Sequence, residues 1–220
     1  MVATSAPMAF AREPDSVPPA STTTSGTTVT AAELSASENA ENAGKFDALK
    51  VGQTLESVKV SDLVTVQNNE GTLKYTVSGL PAGLTVTNDA SETASISGVP
   101  TGVASGNFTV KVEDSKTGTA NTAEVQISYV VAAAELTSAD ITLEKETYDY
   151  TGEKIQPKVT SVTLNGKPLA ETTDYTVSYG DNLAAGEGTV TIKGQTNYSG
   201  TADKKFNIQP VDLKSMSVSS

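Results

Sequence analysis

The 220-residue sequence contains no cysteine, no histidine and no tryptophan. Without cysteine the chain has no thiol nucleophile, no disulfide and no thiolate ligand for a metal. Without histidine it lacks the commonest general base and the commonest metal ligand. Catalysis by carboxylates remains open, because aspartate and glutamate number 26. A cysteine-free chain must also rely on its hydrophobic cores alone for stability.

Positive charge and long apolar runs are scarce as well. Lysine and arginine number 15 against 26 acidic residues, which gives a net charge of −11. An acidic surface repels the phosphate backbone, so we expect no nucleic-acid partner. No apolar run approaches the roughly 20 residues that cross a bilayer as a helix, so we expect no transmembrane segment.

The first 43 residues lack the pattern of a folded domain. Residues 1–11 end in Ala9-Phe10-Ala11, the small-x-small pattern that signal peptidase accepts, and we interpret them as the remnant of a signal peptide. The alternative is an ordinary alanine-rich terminus. Residues 12–43 are rich in Ser, Thr, Pro and Ala with almost no apolar anchors, which predicts a disordered leader.

Regular alternation of apolar and polar residues begins near Gly44 and continues to Val131. It is clearest in residues 73–78, 108–113 and 125–131, each of which predicts a strand with one buried and one solvated face. Short turns rich in glycine, proline and asparagine separate these segments. Several short strands with such breaks predict an antiparallel β-sandwich.

Two turn motifs in this module carry a resemblance. Leu-Pro-Ala-Gly-Leu at 80–84 is followed by Ile-Ser-Gly-Val-Pro at 96–100. With these motifs the module resembles the bacterial Ig-like domain that is related to the cadherin-like domain of dystroglycan. Pro81 fixes its φ, Gly83 permits a positive φ, and Ile96 is expected in the core, so we interpret the motifs as structural rather than ligand-binding.

Some relatives of that family bind calcium through an aspartate-rich loop before the strand that begins Leu-x-Tyr. The corresponding loop here is residues 67–71, and it lacks the aspartate cluster. Calcium prefers six to eight oxygen ligands with several carboxylates among them. Glu70 and Asp114 alone are too few, so we expect no calcium site.

Strand signals resume from residue 136 to residue 211, after a short linker that predicts two modules meeting nearly end to end. Asn165-Gly166 predicts a tight hairpin, because both residues accept a positive φ. Further motifs follow in order: Tyr150-Thr151-Gly152, Ile155-Gln156-Pro157, Asp174-Tyr175-Thr176-Val177-Ser178-Tyr179 and Asn197-Tyr198-Ser199-Gly200-Thr201. This module resembles the repeat found in tandem on large surface proteins of Gram-positive bacteria, especially clostridia. The resemblance implies secretion and modular repetition rather than a chemical activity.

The last residues repeat the start of the second module. Glu135-Leu136-Thr137-Ser138-Ala139-Asp140-Ile141 is echoed by Asp212-Leu213-Lys214-Ser215-Met216-Ser217-Val218. We interpret residues 212–220 as the start of a further, truncated repeat. We therefore expect the chain to be a monomeric part of a longer tandem array.

Two sharper hypotheses concern side chains of the second module. The first is an aromatic platform for sugar rings, formed by Tyr148, Tyr150, Tyr175, Tyr179 and Tyr198. However, Tyr175 and Tyr179 share strand parity with Val177 and are expected in the core, and Tyr150 and Tyr198 are expected to pack turns. The second is a lysine–asparagine cross-link, but its candidates, Lys145, Lys205 and Asn207, lie at polar-face positions. We predict no catalytic, cofactor-binding or metal-binding residue.

The sequence predicts an all-β chain of two consecutive Ig-like antiparallel β-sandwiches, at 44–131 and 136–211, after a disordered leader. The leading functional hypothesis is a non-catalytic extracellular spacer or adhesion module of a bacterial cell-surface or secreted protein. The alternative is an accessory, glycan-binding region of a larger secreted cell-wall or polysaccharide-active enzyme. A third is direct recognition of cell wall, glycan or a host surface protein. Paired carboxylates that hydrolyse glycosides need a cleft holding them roughly 5–9.5 Å apart, and no acidic pair stands in a motif.

Overall fold

The computed structural model of the chain describes residues 32–116 and 121–211. Three predictions fall outside the described residues: the signal-peptide remnant at 1–11, the leader up to residue 31 and the repeat start at 212–220.

The first sandwich consists of two facing sheets and a two-stranded ribbon. Its strands are β1 (Ser35–Glu38), β2 (Leu49–Lys50), β3 (Leu55–Lys59), β4 (Val64–Gln67), β5 (Leu73–Ser78), β6 (Leu84–Thr87), β7 (Ser95–Gly98), β8 (Ala104–Asp114) and β9 (Thr122–Ala132). The larger sheet has the order β2-β9-β8-β5, the smaller has the order β3-β7-β6, and the ribbon pairs β1 with β4. Helix α1 (Ala40–Ala43) and two 3-10 helices (Gly44–Phe46 and Val60–Leu63) connect these strands.

The alternation seen in the sequence places every second side chain of the long strands in the first core. Phe108, Val110 and Val112 of β8 are fully buried, whereas the residues between them are half-buried. The ring of Phe46 packs 4.9 Å from that of Phe108. Ile96 is fully buried, which confirms the role predicted for it.

The predicted leader is wrong at its C-terminal end, because residues 33–43 pack on the first sandwich. β1 pairs antiparallel with β4, and Leu34 and Ala43 are buried in the first core. Two apolar residues and a row of backbone hydrogen bonds are enough to order a segment that has no apolar periodicity. Low apolar content predicts disorder only where the backbone finds no strand to pair with.

The two turn motifs of the sequence pack against each other. Leu84 of β6 lies opposite Gly98 of β7, and the Val99 N–H donates to the Gly83 carbonyl at 3.1 Å. A Cβ on Gly83 would lie 2.0 Å from the Val99 carbonyl oxygen, and a Cβ on Gly98 would lie 2.3 Å from the Gly83 carbonyl oxygen. Both glycines have a positive φ, of 93° and 134°. Each glycine therefore leaves room for the backbone of the opposite motif.

The second sandwich also has two sheets, of order β12-β18-β16-β15 and β11-β13-β14. Its strands are β11 (Asp140–Leu143), β12 (Thr147–Asp149), β13 (Val159–Leu164), β14 (Lys167–Pro168), β15 (Tyr175–Tyr179), β16 (Gly186–Gly194) and β18 (Thr201–Gln209). A short pair, β10 (Ala134–Glu135) with β17 (Tyr198–Ser199), and a 3-10 helix (Leu136–Ser138) lie at its entrance.

The core of the second sandwich is filled from its long strands. Val190 and Ile192 of β16 are fully buried, and Ile208 of β18 has 1% of its surface exposed. Asn165 and Gly166, with φ of 52° and 79°, form the two-residue turn between β13 and β14. The predicted hairpin is confirmed.

In both sandwiches the first strand of the larger sheet is short and runs parallel to the last strand, as β2 does with β9 and β12 with β18. The longer strands pair antiparallel, as predicted. The described part of the chain is therefore an all-β protein of two consecutive Ig-like sandwiches, which confirms the predicted fold class. The described residues from Glu33 to Val211 belong to one compact unit. In the described ranges, no helix has the length and apolarity needed to cross a membrane.

Gly83→Ala tests the pairing of the two motifs. We expect it to lower the free energy of unfolding by about 2 kcal/mol or more, because a positive-φ penalty is added to a clash with the Val99 carbonyl. Gly52→Ala is the matched control: its φ is 77°, but no heavy atom lies within 4 Å of the added Cβ. We expect it to cost about 1 kcal/mol. Urea unfolding measures both, and equal losses would contradict the paired-glycine account.

Candidate functional site at the junction of the sandwiches

The chain passes from the first sandwich to the second through a short segment that contacts both. β9 ends at Ala132, and β10 then pairs parallel with β17, with Ala134 opposite Tyr198. The Ala134 side chain packs against both hydrophobic cores. Leu136 is fully buried in the second core. The predicted short linker therefore contains a paired strand.

One side chain of the second sandwich bonds to the backbone of the first. Asn197 Oδ1 accepts from the Val103 N–H at 3.0 Å, and Asn197 Nδ2 donates to the Thr101 carbonyl at 3.4 Å. The Asn197 carbonyl oxygen also accepts from the Ala134 N–H at 3.0 Å. We call Asn197, Thr101, Val103 and Ala134 the Asn197 clamp. Through it, a single residue joins a loop of the first sandwich, the linker and a turn of the second sandwich.

The turn that carries Asn197 is held by its own backbone. The Tyr198 N–H donates to the Gln195 carbonyl at 2.9 Å, and Thr196 adopts a positive φ of 54°. Tyr198 is buried, as predicted for an anchor of this turn. A Cβ on Gly194 would lie 2.6 Å from the carbonyl carbon of Tyr198, so the end of β16 is in direct contact with the turn. These contacts fix the position from which the Asn197 side chain reaches the first sandwich.

Beside the clamp, residues of both sandwiches border an open cleft of about 290 Å³. The first sandwich contributes Lys50 and Val51, and the second contributes Leu164 and Asn165. Glu135 is the only carboxylate among the described residues that line it. Carboxylate-based hydrolysis of glycosides uses a pair. The described lining of the cleft thus offers one carboxylate where that mechanism uses two.

A second polar cluster is centred on Asp114, a buried carboxylate at the end of β8. Its Oδ2 accepts from the Glu70 N–H at 2.7 Å, and its Oδ1 accepts from the Lys116 N–H at 3.0 Å. A Cβ on Gly71 would lie 2.4 Å from Asp114 Oδ1, which explains the glycine there. The hydrogen bonds from backbone N–H groups hold the pKa of Asp114 below its usual value. Asp114 thereby ties the loop at 67–71 to the end of β8.

The Asp114 cluster includes the loop at 67–71, where the sequence analysis considered a calcium site. Glu70 forms an ion pair with Lys116, so an ammonium group already lies beside its carboxylate. Within 32–116 and 121–211, no three acidic side chains converge as metal ligands would. That this loop binds no calcium stays a prediction.

Four of the five tyrosines of the second sandwich are withdrawn from solvent. Tyr175 and Tyr198 are buried, and Tyr148 and Tyr179 are half-buried. Burial raises the pKa of Tyr175 and of Tyr179, and the Tyr179 hydroxyl donates to the Pro157 carbonyl at 3.0 Å. Their rings therefore pack the sandwich and do not form a shared sugar platform.

Tyr150 is the exception, with 38% of its surface exposed, so the prediction that it packs a turn is wrong. β12 ends at the preceding residue, and the Tyr150 N–H donates to the Gln209 carbonyl at 2.9 Å. Because the strand alternation stops there, the ring lies outside the core, next to the loop at 180–185. Tyr150 and this loop line an open groove of about 580 Å³.

The candidates for a covalent cross-link lie on the surface, as their positions in the sequence predicted. Lys145, Lys205 and Asn207 are exposed. Lys205 Nζ lies 2.9 Å from Thr189 Oγ1 and 3.1 Å from a Glu187 carboxylate oxygen. An exposed lysine with these partners lacks the apolar surroundings that a cross-link requires.

Asn197 is a residue that the sequence did not single out for function. It lies in the quoted Asn-Tyr-Ser-Gly-Thr motif, but its side-chain partner Val103 lies 94 residues away along the chain. The sequence pattern around Asn197 cannot predict a contact with a residue so far away along the chain.

Residues 47–134 match the family model described as "Putative Ig domain". This range covers most of the first sandwich and the linker. No curated protein matches the chain.

Solved structures resemble the chain at low identity. An endo-fucoidan hydrolase from glycoside hydrolase family 107 is 16% identical with a TM-score of 0.34, over 76% of this chain and 28% of that chain. Mouse cadherin-23 EC22–24 is 13% identical with a TM-score of 0.39, over 83% of this chain and 68% of that one. The titin Ig tandem domains are 12% identical with a TM-score of 0.24, over 74% of this chain and 91% of that one. The chain thus spans about 28% of the length of the hydrolase it resembles.

Asp114→Asn tests the role of the buried carboxylate. A group whose pKa is lowered in the fold contributes stability above its unfolded pKa, about 4, and loses it as the pH falls through the folded value. We expect Asp114→Asn to lower the thermal midpoint at pH 7. The difference in thermal midpoint between the variant and the wild type should narrow below about pH 4. Asp140→Asn removes an exposed carboxylate from the other sandwich and controls for net charge. A gap that stays constant down to about pH 2.5 would show that the charge on Asp114 is not the stabilising element.

Proposed function

We propose that the chain is a non-catalytic extracellular spacer of a bacterial cell-surface or secreted protein, in which sandwiches joined at fixed junctions hold a functional region away from its support. The observation that carries the proposal is the Asn197 clamp. A spacer needs modules that keep a set orientation, and the clamp joins the two modules through the Asn197 side chain and the backbone groups of Thr101, Val103 and Ala134.

The clamp depends on neither a metal nor a disulfide. A neutral hydrogen bond of ordinary length contributes about 0.5–1.5 kcal/mol net, which applies to the 3.0 Å bond from Val103 to Asn197. The 3.4 Å bond from Asn197 to Thr101 contributes less. A free energy of about 1.4 kcal/mol already favours the docked arrangement tenfold. The pairing of Ala134 with Tyr198 adds backbone hydrogen bonds to the same junction.

Composition supports the extracellular and non-catalytic parts of the proposal. A net charge of −11 keeps a long extracellular chain soluble and monomeric. The chain has no histidine or cysteine to serve as base or nucleophile, and the junction cleft has one carboxylate among its described lining residues. The resemblance of the second sandwich to a Gram-positive surface repeat supports the bacterial surface.

Asn197→Ala tests the fixed junction. We expect amide hydrogen exchange at Val103 to accelerate about tenfold, because its N–H loses its acceptor and the sandwiches separate more often. Exchange at Val110 and Ile192, in the two cores, should not change. Asn207→Ala removes an exposed asparagine from the same sandwich. As the matched control it should leave the exchange of Val103 unchanged.

Two results would contradict the proposal. An unchanged Val103 rate in Asn197→Ala would mean that the clamp does not form in solution. Retention of the intact 220-residue chain by purified cell wall or by a glycan array would mean that the modules recognise a ligand themselves, whatever the exchange rates show.

A further inference from the structure

The turn between β13 and β14 carries a pair of residues with a reactivity of its own. Asn165-Gly166 is the single Asn-Gly pair in the sequence, and both residues are exposed. The backbone nitrogen that follows an asparagine can attack the side-chain amide carbon and close a five-membered ring. A glycine at the second position favours this attack, because it has no Cβ in the way and rotates freely.

The reacting groups of this pair are not held by other parts of the fold. Within residues 32–116 and 121–211, the Gly166 N–H donates to no backbone carbonyl. A Cβ on Gly166 would meet no heavy atom within 4 Å, so the space around the nitrogen is open. By contrast, the side-chain amides of Asn182 and Asn197 are each hydrogen-bonded to backbone groups.

Ring closure requires the turn to open, because the Gly166 nitrogen must reach the Asn165 amide carbon. β14 is only two residues long, and it pairs with β13 through Leu164 with Lys167 and through Thr163 with Pro168. Proline has no N–H, so the second pair lacks a ladder donor. A hairpin end held by so few bonds opens more often than the core strands do.

We propose that Asn165 is a site of spontaneous deamidation, and that its isoaspartate product loosens the junction of the two sandwiches. A base removes the Gly166 amide proton, and the nitrogen attacks Asn165 Cγ. The bond from Cγ to the side-chain nitrogen breaks, ammonia leaves, and a succinimide ring remains. Water then opens the ring at one of its two carbonyls and yields aspartate or isoaspartate. The reaction consumes only water and involves no oxidation or reduction.

The turn borders the junction. A small cleft of about 80 Å³ is lined by residues of the turn, the first sandwich and the linker, among them Asn165, Lys167, Val51, Gly52 and Ala134. The Gly52 N–H donates to the Pro100 carbonyl at 2.9 Å. Pro100 directly precedes Thr101, whose carbonyl accepts from Asn197. A change in the turn therefore reaches the Asn197 clamp through two short steps.

The two products affect the turn differently. Aspartate keeps the backbone unchanged and adds one negative charge. Isoaspartate routes the main chain through the side-chain carbon, which adds a methylene to a two-residue turn. The Leu164–Lys167 pair that closes this turn depends on the loop length, so isoaspartate breaks the pairing. The effect on the junction rests on the proposed spacer function, whereas the chemistry at Asn165 does not.

Peptide mass spectrometry on the intact 220-residue chain tests the chemistry. During incubation at about pH 8, where a base removes the amide proton more readily, we expect Asn165 to convert at least about tenfold faster than Asn88. Each conversion adds about 1 Da, because an NH2 group becomes an OH group. Asn88 is the matched internal control: it is exposed and has a φ of 54°, against 52° at Asn165, but Asp89 follows it.

Amide exchange at Val103 tests the effect on the junction. In the isoaspartate form, separated by chromatography from the incubated chain, we expect this exchange to be about tenfold faster than in the unconverted chain. Fresh Asn165→Asp carries the charge without the extra methylene and should exchange as the wild type does. Asn165→Gly cannot deamidate, and Gly-Gly suits the same turn. After the same incubation it should show neither the added mass nor the faster exchange.

Three outcomes would overturn the inference. The first is conversion of Asn165 no faster than that of Asn88. The second is an isoaspartate form whose Val103 exchange equals that of the unconverted chain. The third is an equal acceleration in fresh Asn165→Asp, which would assign the effect to charge. Asn197→Ala is measured on unincubated protein, so failure of the clamp is distinguishable from failure of this inference.

Discussion

The junction of the two sandwiches depends on the side-chain amide of Asn197. An amide carries an acceptor and a donor, so it satisfies the Val103 N–H and the Thr101 carbonyl of one loop at once. A carboxylate would accept from Val103 but repel the Thr101 carbonyl oxygen, and an aliphatic side chain would leave both groups without partners. The pairing of β10 with β17 brings the linker to the same residue. Asn197, on a tightly held turn, thus adds two side-chain hydrogen bonds to a junction that the paired linker also forms.

The same chemistry fixes loops inside each sandwich. Asn182 bonds three backbone groups of Ile155 and Thr189, and Asp114 binds the backbone N–H groups of Glu70 and Lys116. Buried backbone polar groups need partners, and loops cannot supply them through a strand ladder. In this chain without cysteine, side-chain carboxylates and amides hold loops in place, as disulfides do in many small secreted domains. The ends of the sandwiches are therefore shaped surfaces.

Features that depend on neighbours in the sequence could be predicted, and features that depend on distant residues could not. Alternation placed Phe108 in the core, the turn motif at 96–100 placed Ile96 there, and Asn165-Gly166 specified its own turn, because strand and turn preferences are local. β1 was missed, since its order comes from pairing with β4 rather than from its own side chains. Tyr150 was misplaced, because β12 ends one residue before it. The clamp joins residues that lie 94 positions apart in the sequence, so the residues next to Asn197 could not predict it.

We infer that the two sandwiches hold one orientation in solution. Residual dipolar couplings from the strands of both sandwiches, measured on the nitrogen-15-labelled 220-residue chain in one aligned medium, test it most directly. We expect a single alignment tensor to fit the couplings of β8, β9, β16 and β18 together. Two tensors of clearly different magnitude would show that the sandwiches reorient independently, and would contradict a spacer built on a fixed junction.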